Sequence, residues 1–330
     1  LDFVSSWHQR GETASELHDF ATYVFRQEPR LDTGIAAYDC AGTGGDGANT
    51  FNISTTAAII AAGSGLAISK NGGRSTTSKS GSVDVLEALG FNFKASHERK
   101  LEGLSRHHLA FFASQVTGRL LLRVKTLCRQ NHQTGFISLL GPLTSPIRLK
   151  GQVIGVGQRR WLEPLEGALT AFISEGHLDR AVLLRSTGLK LDELSTCSEA
   201  ELHFVFAEPL SLRGGEADEA IPVRTLSYGF KPEDLGLRRS VMSELTGGNA
   251  EDNAVIIRGL LSGSLEDRAK LDTACLNAAL LLLLDRDLAA LASGASFPEL
   301  LRKNYDLALE AVLSGRVWDN FQKLLALLNS

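Results

Sequence analysis

The chain has 330 residues, 43% hydrophobic and 22% charged, with a formal net charge of −4. This is the composition of a globular protein of one large or two ordinary domains. Mild acidity gives no reason to expect a nucleic-acid partner, which leaves a basic stripe, and apolar runs such as Ala278 to Leu284 fall far short of the roughly 20 residues of a membrane span.

The N-terminus has no charged-then-apolar leader pattern, so a cytoplasmic protein is expected. Leu1 is not a methionine, and some N-terminal residues are expected to be missing from the sequence. Cys40, Cys128, Cys197 and Cys275 are scattered, without Cys-x-x-Cys spacing or histidines at metal-finger distances. They are expected to be reduced and mostly buried thiols, not disulfides or zinc ligands.

From Leu1 to about Gln27, apolar positions recur at helical intervals around Arg10-Gly-Glu-Thr13, which reads as helix, cap, helix. Ile35 to Cys40 reads as a strand, residues 42 to 47 as a glycine loop, and Ser54 to Ala62 as the helix after it. Leu66 to Ser69 is a second strand, ended by the polar loop Lys70 to Ser82; Val83 to Leu89 begins a helix. Residues 97 to 131 look largely helical. Strand-like runs resume at Phe136 to Leu140, Val153 to Val156, Ala181 to Leu184 and Glu201 to Phe206, alternating with helical stretches. Gly214 to Pro222 reads as an exposed connection, and residues 250 to 262, 265 to 293 and 298 to 328 as helical. The alternation predicts an α/β fold.

The segment Gly42-Thr-Gly-Gly-Asp-Gly47, followed by Asn52-Ile-Ser-Thr55, carries the clearest chemistry. Its glycines let backbone N–H groups approach a phosphate, and Asn52, Ser54 and Thr55 stand where a helix would add its free donors. The glycines also satisfy G-x-G-x-x-G. A dinucleotide fold is nevertheless rejected, because the helix starts after Asn52 and the position of the expected ribose-binding acid lies near Lys70. Asp46 would repel a bare pyrophosphate, so a metal-chelated one fits better.

The second loop supplies Lys70, Arg74 and Lys79. A basic loop alone is an ordinary solvated surface, but this one lies one strand and one helix after the first, at the same end of adjacent parallel strands. Asp192-Glu193, also after a strand, suits Mg2+, which binds through one or two carboxylates plus substrate phosphates. The eight histidines form no convincing set, and no Ser-His-Asp arrangement can be argued.

Taken together, Gly42 to Gly47, Asn52 to Thr55, Lys70 to Arg74, Ser78 to Gly90, Gly141 to Pro146, Leu191 to Ser195 and Gly247 to Ala254 resemble, in the same order, the anthranilate phosphoribosyltransferase family, of the nucleoside phosphorylase–phosphoribosyltransferase fold. The resemblance implies a large α/β domain with a central, mainly parallel sheet and a small helical domain. Residues 1–30 would begin the helical domain, 31–95 would carry the phosphate loops, 96–133 would return to the helical domain, and 134–330 would complete the large one. It implies a homodimer, with family helices before Leu1 contributing to the dimer interface. It also implies 5-phosphoribosyl 1-pyrophosphate and Mg2+ in the interdomain cleft, an aromatic amine as acceptor, anthranilate leading, and a step of tryptophan biosynthesis. By position, Gly42, Gly45, Asp46, Asn52, Ser54, Thr55, Lys70 and Ser82 would contact the donor, with Lys70 and Asp46 catalytic. Ser54, Asp192 and Glu193 would hold the metals.

The acceptor side departs from the family pattern. Lys-His-Gly-Asn-Arg is here Lys70-Asn71-Gly72-Gly73-Arg74, and the His-Pro-Ala-Met stretch is replaced by Ser114 to Arg123. Asn71 and Gly73 therefore take the acceptor-facing positions, and Arg129 or Arg123 is the candidate partner of an acceptor carboxylate. Open alternatives are a phosphoribosyltransferase for another aromatic acceptor, a nucleoside phosphorylase, and a non-catalytic member binding nucleic acid or a nucleotide.

Overall fold

The computed structural model describes residues 10–44, 47–74, 79–113, 123, 126, 135–189, 191–210 and 220–330. The expected first helix, Gly45, Asp46, Cys128, Arg129 and most of the 114–134 and 211–219 stretches lie outside the described residues.

Thr13 starts the helix Ala14–Gln27 with a capping box: its hydroxyl accepts from Glu16 N at 3.3 Å, and Glu16 Oε2 accepts from Thr13 N at 3.0 Å. Among the described residues seven strands follow: β1 (Tyr38–Gly42), β2 (Ile68–Gly72), β3 (Leu109–Ala113), β4 (Gly151–Gly155), β5 (Arg180–Ser186), β6 (Ala200–Ala207) and β7 (Val223–Phe230). They form one sheet in the order β3-β2-β1-β4-β5-β6-β7. The five strands from β3 to β5 are parallel; β6 and β7 add antiparallel pairs. The expected α/β architecture with a mainly parallel sheet is what is found.

Three segments differ from the reading by pattern. Within the range expected to be helical and to return to the small domain, only His97–His107 is described as a helix before β3. His108 ends that helix in the left-handed conformation, and residues 109–113 form a strand of the large sheet. Leu-Ala-Phe-Phe-Ala is apolar throughout because both sheet faces are covered there, so no alternation betrays the strand. Conversely, the expected strand at Phe136 to Leu140 lies in the helix Gly135–Leu143; a short apolar run cannot be assigned by periodicity alone. β7 is absent from the reading by pattern, although its exposure alternates as an edge strand's does.

Two cores flank the sheet. One is built by Ile53–Gly63, Arg268–Arg286, Phe297–Leu313 and Arg316–Asn329; the other by Ala14–Gln27, Gly135–Leu143 and Leu162–Ser174. The leucine run 280–284 is fully buried in the centre of the first, which explains its uniform apolarity. Among the described residues no helix is long and apolar enough to cross a membrane. Cys40 and Cys275 are buried and Cys197 is half-buried, all three as free thiols.

The order of strands positions the site. β1 lies between β2 and β4, so the chain winds outward in one direction from β1 to β3 and in the other from β4. Open α/β sheets bind ligands at such a reversal, beyond the carboxyl ends of the strands.

Candidate active site

A cleft of about 510 Å³ opens where β1 and β2 end. It is lined by Gly42, Gly44 and Gly47 of the first loop, Asn52 and Ser54 of the following helix, Lys70 to Arg74, Ser80 to Ser82, and Asp192 and Glu193. Segments expected separately to handle phosphate, cationic charge and metal thus share one cavity. Among the described residues no histidine lines it.

Close packing of the first loop depends on missing side chains. A Cβ on Gly42 would lie 2.1 Å from Asp192 Oδ2, and one on Gly155 would lie 1.5 Å from the Asp192 carbonyl oxygen. Glycine at both positions lets the Asp192 loop come down on β1 and β4, where Gly44 N donates to Asp192 Oδ2 at 2.8 Å. Thr43 N donates to Gly155 O at 2.9 Å, and Gly157 N donates back to Thr43 Oγ1 at 2.9 Å. Asn277, on the buried helix Arg268–Arg286, pins the carboxylate loop: its Oδ1 accepts from Leu194 N at 3.1 Å and its Nδ2 donates to Leu194 O at 2.8 Å.

Asn52 precedes the helix Ile53–Gly63 without capping it through its side chain. Its Oδ1 instead accepts from Asn253 Nδ2 at 2.9 Å. Asn253, only 1% exposed, also donates to Ser80 Oγ at 2.8 Å and accepts from Gly248 N at 2.9 Å. One amide therefore joins the helix start, the rim of the second loop and the Gly247-Gly-Asn segment. Its interest was signalled only by membership of that motif; the role depends on contacts across some two hundred residues.

Lys70 is 2% exposed, and its ammonium donates to the Cys40 carbonyl and, at 3.4 Å, to Ser54 Oγ. A buried ammonium held by neutral oxygens at the cleft floor can receive anionic charge. Arg74 is differently placed: its exposed guanidinium donates to Asp84 Oδ1 at 2.8 Å and to both Glu87 carboxylate oxygens at 2.8 and 2.6 Å, and the Glu87 and Asp84 hydrogen bonds raise its pKa. It fastens the second loop to the helix Ser82–Ala88. Lys79 is exposed. Gly72 lets this loop meet Ser82, whose Cβ lies 2.9 Å from where a Gly72 Cβ would be.

Of the expected site residues, Gly42, Asn52, Ser54, Lys70, Asn71, Gly73, Ser82, Asp192 and Glu193 meet in the cleft. Thr55 is fully buried and is not among the lining residues. Gly45, Asp46 and Arg129 lie outside the described residues, and Arg123 is exposed. Asp39 was not singled out by sequence: it is buried beside this region, and burial pushes its carboxyl up to about 6 against the opposing charge of Lys70. Backbone donors, one buried cation and two carboxylates in one cleft suit a polyphosphate that arrives with a divalent metal.

Residues 35–303 match the family model described as "Glycosyl transferase family, a/b domain". The chain is 35% identical over 327 residues to the anthranilate phosphoribosyltransferase of Caulobacter sp. (strain K31), covering 99% of this chain and 85% of the relative. It is 36% identical over 300 residues to that of Synechococcus sp. (strain CC9902), covering 89% and 80%. The crystal structure of anthranilate phosphoribosyltransferase from Thermus thermophilus superposes with a TM-score of 0.78 at 28% identity, covering 99% of this chain and 88% of the other. The Saccharomyces cerevisiae enzyme in complex with PRPP and Mg shares the fold, with a TM-score of 0.78 at 23% identity over 96% and 80%. On the match through most of its length and the likeness to these relatives, the chain belongs to the anthranilate phosphoribosyltransferase family and is a pentosyltransferase.

Proposed function

We propose that this chain transfers 5-phosphoribose from phosphoribosyl pyrophosphate to anthranilate, with Mg2+ bound through the donor, as a cytoplasmic homodimer serving tryptophan biosynthesis. The observation that carries the reading is the convergence of the glycine loop, Asn52, Ser54, Lys70, Asp192 and Glu193 on one cleft beyond the strand-order reversal. The names of the relatives supply the acceptor.

The residues fit Mg2+ as a passenger of the substrate. Among the described residues no group of three His, Cys, Asp or Glu side chains could hold a metal, but two adjacent carboxylates line the cleft. Mg2+ needs only one or two carboxylates when phosphate oxygens and waters complete its shell. Asp192 and Glu193 would hold it; Ser54, the third expected ligand, already accepts from the Lys70 ammonium, a cation competing for the same oxygen. Bound there, the metal would neutralise pyrophosphate charge.

The chain's own groups account for the rest. Breaking the bond at ribose C1 builds negative charge on the departing pyrophosphate. Lys70, with the N–H groups of the glycine loop, meets that charge from fixed positions, without reorganisation during the reaction. Gly42, Gly45, Asn52, Thr55 and Ser82 would hold the donor, and Asp46 would contact its ribose or pyrophosphate side. Asn71 and Gly73, with Arg129 as the candidate carboxylate partner, would hold the amine in line with C1.

The test follows loss of anthranilate fluorescence on mixing protein, phosphoribosyl pyrophosphate and Mg2+. Loss that requires all components supports the reading. Donor binding without turnover would move the assignment to another aromatic acceptor, favoured by Asn71 and Gly73. No donor binding, with salt-sensitive DNA binding in its place, would support a non-catalytic member.

A further inference from the structure

β1 and β2 are parallel neighbours, yet their ladder has a single registered pair, Tyr38 with Ile68. On their other sides the same strands are fully paired, β1 with β4 and β2 with β3 through five residues each. Toward the cleft, side chains bridge the two strands. Asp39 Oδ2 accepts from Asn71 N at 3.3 Å, and the Lys70 ammonium donates to Cys40 O. One carboxylate takes an amide of β2, and one ammonium takes a carbonyl of β1.

Asp39 is 2% exposed, and its Oδ1 has no hydrogen-bond partner among the described residues. A carboxylate buried this deeply costs stability, which points to a role other than holding the fold together. It does not line the cleft, whereas Asn71, Gly72 and Gly73 do. Asn71 is thus anchored by a buried residue that does not itself line the cleft.

We propose that Asp39 is a positioning residue for the acceptor side of the cleft: its carboxylate takes the place of a ladder bond at Asn71 and sets where the Asn71–Gly73 loop stands relative to the glycine loop on β1. The identity of that side as the acceptor's rests on the function proposed above; the anchoring does not. The donor side has further ties of its own, Asn253 to Asn52 and Asn277 to the Asp192 loop.

The test compares wild type, Asp39→Ala and Asp39→Asn by amide hydrogen exchange and steady-state kinetics. Loss of a hydrogen bond to a charged acceptor should speed exchange at the Asn71 amide and raise the acceptor KM, each by about tenfold or more in Asp39→Ala, with the donor KM within about threefold. Asp39→Asn keeps a side-chain oxygen for that amide and should bring both readouts back to within about threefold of wild type. Wild-type exchange at Asn71 in Asp39→Ala would overturn the proposal. So would a joint rise of both KM values in both variants with a fallen thermal midpoint, the mark of general loosening. Exchange needs no turnover: a wild type inactive on anthranilate would count against the function reading, while the exchange result still decides the role of Asp39. Should Asp39→Ala fail to fold, Asp39→Val fills the space without an acceptor and carries the same expectations.

Discussion

Gly42→Ala puts one methyl group where the structure has no room for it. The new Cβ would stand 2.1 Å from Asp192 Oδ2 and 2.7 Å from its Cγ, against the 3.4 Å at which ordinary contact begins. Something must move by about 1.3 Å, and the carboxylate end is the softest element, because β1 is paired with β4 along its whole length. That movement breaks the 2.8 Å bond from Gly44 N to Asp192 Oδ2. A hydrogen bond to a charged group contributes about 1.5–3 kcal/mol, so if Asp192 holds the metal-chelated donor, its affinity should fall about ten- to a hundredfold. Calorimetric titration of phosphoribosyl pyrophosphate in Mg2+, with far-ultraviolet circular dichroism to confirm folding, measures this. Affinity within about threefold of wild type would show that donor binding does not depend on the Asp192 carboxylate where it stands.

Three further outcomes follow from the same geometry. Lys70→Met keeps the buried stem and removes the charge; turnover should fall about 10²- to 10³-fold with the fold retained, and a loss under tenfold would remove Lys70 from charge stabilisation. Asn253→Ala leaves Gly248 N and Asn52 Oδ1 without the bonds they share with it, so unfolding by urea should show a loss of about 1–3 kcal/mol together with weaker donor binding; unchanged donor affinity would separate this amide from the site. Asp39 titrates in the folded chain at about 6, above its ordinary 3.8, because burial disfavours the charge; its contribution to stability is therefore full below pH 3.8 and lost as pH rises through about 6. The difference corresponds to about 3 kcal/mol, so Asp39→Asn should be the more stable protein near pH 8, by up to that amount, with the gap closing toward pH 4. A gap independent of pH would contradict this linkage.

The parts of the site legible in the sequence are those whose chemistry is local. The glycine loop, the start of Ile53–Gly63 and the Lys70 loop each announce themselves within a few residues, because close backbone approach, free helix donors and cationic charge need particular residue types in a row. The carboxylate pair at Asp192 is different: it gained weight only from its neighbours, since surface acids are common. What was hidden acts at long range. Asn253 reaches Asn52, Asn277 reaches Leu194, and Asp39 meets Asn71 across an opened ladder; none of these pairings leaves a periodic trace. The fold shows the same division. Amphipathic helices such as Ala14–Gln27 follow their pattern, while β3, apolar on both faces, reads as part of the helix before it, and a five-residue, mostly apolar run in Gly135–Leu143 reads as a strand.

The most direct measurement of the central claim is a crystal structure of the protein grown with phosphoribosyl pyrophosphate and Mg2+. The account predicts donor density in the cleft beyond β1 and β2, its pyrophosphate between the glycine loop and Lys70, and the metal at Asp192 and Glu193. Donor bound elsewhere on the molecule, or a cleft without donor at saturating concentration, would contradict it.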